Sequence, residues 1–210
     1  MEKKKGIDGE IYWVHNTESY RRVAGGIAWP GRDPGFVCVE AEDLFENSTK
    51  ARPYVLLAEG EERALGELLK VTYELQKAWW CDDFYGEANH RPMMDFVYEF
   101  TEHPNYSDGI YIQNAPFISE PAAFRYYTDV IYNLLNRRVL TISEDMKLSV
   151  YLHELPPDKR TTATVTDYPA IAALGYAVSG LETYKPAPRG PRQEYAESYF
   201  NPITWDRDAR

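Results

Sequence analysis

The sequence predicts an α/β domain built on a mixed sheet, with three antiparallel strands followed by parallel strands and helices flanking them. Three observations carry that expectation. Residues 23–29 and 36–40 are two short apolar runs joined by a turn rich in Gly, Pro and Asp, the pattern of a strand pair. A third β-favouring run, Pro-Tyr-Val-Leu-Leu-Ala at residues 53–58, follows closely. From there helical and strand-like patterns alternate, and that alternation calls for parallel strands linked through helices.

Taken in order, residues 1–19 are a lead-in with one strand-like run at 10–15 that adds to a sheet edge. The strand pair comes next, then a charged loop over 41–52 and the third strand. Residues 61–79 form the clearest helix, with Leu65, Leu68, Leu69, Thr72, Leu75 and Trp79 at helical spacing and Glu61 and Glu62 favouring its start. A fourth strand is expected at 79–85 and a second helix at 91–102, with Pro92 in its first turn. Residues 109–114 read as a fifth strand. Ser119 is placed to cap the next helix, whose stripe is Phe124, Tyr127, Ile131, Leu134 and Leu135. A short extended piece at 139–142, a short helix at 148–155 and a β-favouring approach at 161–166 lead to the last helix, with Asp167 as its N-cap and Pro169 in its first turn. Beyond residue 182, Pro186, Pro188, Pro191 and Pro202 among scattered charges leave little to bury, so 183–210 reads as a tail.

Composition narrows the function. The chain has 210 residues, 44% of them hydrophobic, which suits one domain with a sizeable core. No apolar run reaches membrane-spanning length, and no apolar segment follows the Met-Glu-Lys-Lys-Lys-Gly start, so neither a membrane span nor a signal peptide is expected. Two isolated cysteines, Cys38 and Cys81, point to a reducing compartment and away from a zinc site. The net charge of −10 argues against a broad DNA-gripping face, which would be basic, but leaves room for a local basic patch. Neither a phosphate-binding P-loop, nor a serine nucleophile elbow, nor a dinucleotide-binding glycine fingerprint is present.

The stretch Gly26-Ile27-Ala28-Trp29-Pro30, followed by Arg32-Asp33-Pro34, resembles the opening hairpin of the ribonuclease H-like nuclease domain of phage terminase large subunits. That family carries Gly-Ile-Asp-Trp-Gly and then Arg-Asp-Pro. The ending is similar too, with a Glu-Leu pair at Glu154-Leu155 and a helix through Ala173-Leu174-Gly175-Tyr176-Ala177. The resemblance covers roughly residues 20–182. It implies a ribonuclease H-like sheet and cleavage of double-stranded DNA during genome packaging in the host cytoplasm. The implied partners are double-stranded DNA, a terminase ATPase domain or subunit, and a portal-like ring.

The resemblance also implies a centre of two Mg²⁺ or Mn²⁺ ions about 4 Å apart, held by oxygen ligands that polarise the scissile phosphate and activate water. Its carboxylates would come from the first strand, the fourth strand and the last helix. The fourth-strand position falls on Glu87, which reads otherwise as a solvated strand-end acid. The helix position falls on Asp167, which reads equally as a plain cap; in a tighter alignment it falls on Ala172. The first-strand position is Ala28, where a methyl group cannot hold a metal. Asp33 is the first substitute ligand, with Asp82 and Asp83 behind it. His90 is a candidate substrate-side group, and His153-Glu154 reads as a boundary pair. Arg21-Arg22 and Arg137-Arg138 are the compact basic pairs, too few for a DNA track. Two functions follow. One is a nuclease using Glu87, Asp167 and Asp33; the other is a degenerate module that keeps the fold and binds a packaging motor, a portal or DNA.

Overall fold

A computed structural model describes residues 1–6, 9–44, 53–81, 83–116 and 122–183, which fold around one eight-stranded mixed sheet. The strands are β1 (Glu2–Lys5), β2 (Ile11–His15), β3 (Glu18–Ala28), β4 (Gly35–Asp43), β5 (Tyr54–Glu62), β6 (Phe84–Gly86), β7 (Ile112–Asn114) and β8 (Leu140–Thr141). The helices are α1 (Leu65–Trp79), α2 (Arg91–Thr101), α3 (Ala123–Asn136), α4 (Lys147–Glu154), α5 (Lys159–Thr162) and α6 (Pro169–Thr183).

β3 is the central strand. One of its edges pairs antiparallel with β4 from Tyr20 to Ala28. The other edge is shared: its start pairs antiparallel with β2, and its end pairs parallel with β6 through Gly25–Phe84 and Gly26–Tyr85. β7 continues parallel to β6, β5 lies antiparallel to β4, and β8 adds parallel to β5. Across the end of β3 the order is therefore β5-β4-β3-β6-β7. The expected mixed sheet, with residues 23–29 at its centre, is what the chain forms.

Side chains alternate across a strand, so this sheet has two faces to cover. Ile27, Val37 and Val39 point to one, where they pack with Leu68 and Leu69 of α1 and Val97 of α2. Ala24, Ala28, Phe36 and Cys38 point to the other, beneath α3, α4 and α6. α6 lies in the middle of that second layer, and every residue from 169 to 181 is buried. Its segment Ala170-Ile-Ala-Ala-Leu-Gly-Tyr-Ala-Val has no polar stripe, as befits a helix with no solvent face. Small residues let it sit close. A Cβ at Gly26 would lie 1.8 Å from the carbonyl oxygen of Ala173, so the strand and helix backbones touch there. At the far end of α6, Arg22 donates from Nη1 to the carbonyl of Leu181 (2.6 Å) and from Nε to Glu42 (2.5 Å). α6 thus runs antiparallel to β3.

Several elements differ from expectation. β4 runs on to Asp43, where a loop beginning at residue 41 was expected, because Ala41 and Glu42 continue the ladder with both neighbours. Glu61 and Glu62 do not open α1; they end β5, paired with Phe36 and Gly35. β6 and β7 are only three residues each. Residues 161–166 hold no strand: Thr161 and Thr162 end α5, their hydroxyls bonding back to the carbonyl of Asp158 (3.1 and 3.0 Å). Asp167 stands ahead of α6, and its carboxylate accepts from Thr164 instead of capping the helix. Asp82, Ser119 and the tail from residue 184 lie outside the described residues.

The contact at Gly26 gives a sharp expectation. Gly26→Ala should cost about 3 kcal/mol or more, at the upper end of overpacking penalties, because the obstacle is backbone that cannot rotate away. Gly31→Ala, where nothing lies within 4 Å of the added methyl, should stay within about 0.5 kcal/mol of the parent. Urea unfolding of both variants measures the contrast.

Candidate functional site

The end of β3, the end of β6 and the first turns of α6 meet at one corner of the sheet. Ala28 is the last residue of β3, on the α6 face and 6% exposed. The parallel register that sets Gly26 beside Tyr85 carries the chain past β6 so that Glu87 arrives next to this strand end. The indole Nε1 of Trp29 donates to the carbonyl of Glu87 at 3.2 Å and fixes the junction. Because α6 is antiparallel to β3, the turns facing Ala28 are those before Ala173. They read Pro169-Ala-Ile-Ala-Ala, and no acid occurs in α6 until Glu182.

Glu87 is half-buried, and burial pushes its carboxyl above the ordinary carboxylate range, against a smaller pull downward from His90. The charge of Glu87 also helps to raise the Tyr176 hydroxyl, after burial, which is the larger cause. Asp167 has other neighbours. It is exposed in the turn before α6, accepting from the Thr164 backbone N–H (2.8 Å) and hydroxyl (3.0 Å). Those bonds lower its carboxyl below the ordinary range; burial opposes them slightly, and Lys159 and Arg32 add to them. Asp33 is exposed, and its charge is felt by Tyr151 on α4.

A two-metal centre needs several carboxylates converging on ions about 4 Å apart. This corner offers one half-buried glutamate, an alanine on the central strand and an acid-free helix face. Among the described residues, no group of three or more His, Cys, Asp and Glu side chains gathers to hold a metal. The residues present do not fit the implied ion pair.

Two other acids, Glu59 and Glu61 on β5, gather at the start of α4. Glu59 of β5 accepts from the backbone N–H groups of Lys147 (2.6 Å) and Leu148 (3.0 Å), supplying the N-terminal cap that α4 lacks locally. Glu61 accepts from Lys147 Nζ (2.7 Å) and Tyr151 Oη (2.6 Å). Burial acts to raise Glu61, but those two hydrogen bonds outweigh it and hold the carboxyl low. Two acids two apart in a strand share a face, which is the one local signal for this clamp. Their partners lie more than eighty residues away.

A scan against models of known protein families and a search of curated proteins both find no match for this chain. The described residues contain no helix long and apolar enough to cross a membrane.

The corner's electrostatics can be tested directly. A carboxyl whose folded pKa is raised binds more protons in the folded state, so stability falls as pH rises from the ordinary value of about 4.3 through the raised one. Glu87→Gln should therefore raise Tm at pH 7 relative to the parent, and the gain should vanish below about pH 4. Thermal melts of both proteins across that range read the effect.

Proposed function

We propose that this chain is a ribonuclease H-like domain of the terminase large-subunit type that has lost its two-metal centre and serves as a non-cleaving module of a DNA-packaging machine. The strand order β5-β4-β3-β6-β7 supports the fold reading: three antiparallel strands carry two further strands parallel to the first. The carrying observation for the loss of cleavage is the corner at Ala28. A methyl group ends the central strand, α6 presents only apolar side chains there, and Glu87 is left as a lone desolvated carboxylate. One carboxylate with a raised pKa is a poor ligand for a hard divalent cation. The partners that suit such a module are a terminase ATPase subunit, a portal-like ring or the DNA itself, in the host cytoplasm. A cleaving reading would need Asp33 or Asp167 to turn toward Glu87; Asp33 is exposed in the turn after β3, and the carboxylate of Asp167 is engaged with Thr164.

A plasmid-nicking assay with Mg²⁺ and with Mn²⁺ tests this on the native chain, Ala28→Asp and Glu87→Ala. The expected result is no cleavage by the native chain in either metal and no difference on Glu87→Ala. Robust cleavage by the native chain that disappears in Glu87→Ala would overturn the proposal and return the corner to catalysis.

A further inference from the structure

A second built feature lies at the other end of β3, away from the Ala28–Glu87 corner. β1 is the outermost strand of its edge, pairing only with β2, and its residues Glu2-Lys-Lys-Lys are all exposed. The β1–β2 hairpin is fastened to the end of α1. Met1 N donates to the carbonyl of Ala78 (3.3 Å), and the indole Nε1 of Trp80 donates to the carbonyl of Met1 (2.7 Å). The rings of His15 and Trp79 lie against each other, tilted by 49° with centroids 4.7 Å apart. Lys3 Nζ stands over the rings of both Trp13 (5.5 Å) and Trp80 (5.3 Å).

Lysines on an edge strand have an ordinary use, which is to discourage edge-to-edge pairing. That use does not account for Trp80. It ends α1 in the left-handed conformation, φ 51°, a position that favours glycine and strains a bulky aromatic. Yet Trp80 is 46% exposed. The chain keeps a large, half-exposed aromatic plane where a glycine would sit more comfortably, ties its edge to Met1 and stands the Lys3 ammonium over it.

We infer that this edge binds single-stranded nucleic acid, with an unpaired base stacking on Trp80 and adjacent phosphates meeting Lys3 and Lys5. Alternation along β1 sets Lys3 and Lys5 on the face that carries the indoles. Lys4 is on the opposite face, paired with Glu2 at 3.4 Å. The base must be unpaired, because a duplex keeps its base faces stacked on one another. The chain's net charge of −10 discourages a polyanion over much of the surface, and this edge is where lysines lie beside a half-exposed indole. The site is independent of whether the Ala28 corner cleaves DNA.

The test is fluorescence anisotropy of a labelled oligothymidylate about 15 nucleotides long, within the usual single-strand site range. It is run on the full chain across a salt series. Native protein should bind, with affinity falling as salt rises. Trp80→Gly removes the indole, its bond to Met1 and the left-handed strain together, so it should lose affinity about tenfold or more, whereas Trp80→Phe, which loses the same bond but keeps an aromatic face, should hold most of the affinity. Lys3→Gln with Lys5→Gln should reduce the steepness of the log–log salt dependence by about 1.4, at about 0.7 per phosphate contact. Lys4→Gln should leave that slope unchanged. No binding at about 50 mM salt, where such contacts are strongest, would overturn the inference. So would binding indifferent to Trp80→Gly, or equal binding of a duplex or heparin, which would mark a polyanion contact without base stacking.

Discussion

At Gly26 the backbone of the central strand meets the backbone of α6, with the carbonyl of Ala173 in the space a methyl group would need. Much of the architecture follows from that contact. A helix seated so close must present small residues to the sheet, and α6 does so with Ala172, Ala173 and Ala177. Being covered on its other side by α3 and α4, it must also be apolar all round. Gly175 makes the matching concession to α3, where an added Cβ would fall 2.5 Å from the Cβ of Tyr127. At its C-terminal end the helix is held by the buried guanidinium of Arg22, which serves the carbonyl of Leu181 and the carboxylate of Glu42 together. A buried charge of this kind is tolerated because both of its faces are satisfied.

The same seating governs the chemistry of the corner at the end of β3. An ionised carboxylate on a buried, acid-free helix face would carry a desolvation penalty of several kcal/mol unless a cation met it. With alanines along α6 and Ala28 opposite, that penalty is avoided and the space is filled by packing. Glu87 keeps its place at the rim, where half-exposure lets it stay in water at the cost of a raised pKa. The acids that anchor structure lie at the β5–α4 junction, where Glu59 and Glu61 hold the start of α4.

Much of this was legible in the sequence, and the failures have local causes. The apolar run through residues 23–29 identified the central strand because that pattern reflects burial itself, and Pro169 marked the first turn of the closing helix, where α6 begins. Glu61 and Glu62 were read as a helix start because acids favour helix N-termini. Their pairing with β4 and their bonds to α4 depend on residues distant in sequence, which no local window contains. The threonines at 161–166 suggested a strand by propensity, but hydroxyls that bond back to Asp158 make a short helical turn acceptable. At the site, the place of Glu87 beside the first strand followed from the expected strand order. The reach of Asp167 did not, since a helix-start acid can serve a ligand, a cap or a neighbouring turn, and here it serves the turn at Thr164.

The central claim is that the corner of Ala28, Glu87 and the first turns of α6 is a packed end of the sheet with no place for a divalent ion. Paramagnetic broadening of the backbone amide spectrum by Mn²⁺, titrated into the isotopically labelled chain, tests this most directly, because it locates the ion without relying on activity. The account predicts only weak, scattered broadening at exposed acids, with the amides of Ala28, Glu87 and Ala172 no more affected than the rest. Saturable broadening centred on those three residues, lost in Glu87→Gln, would contradict it.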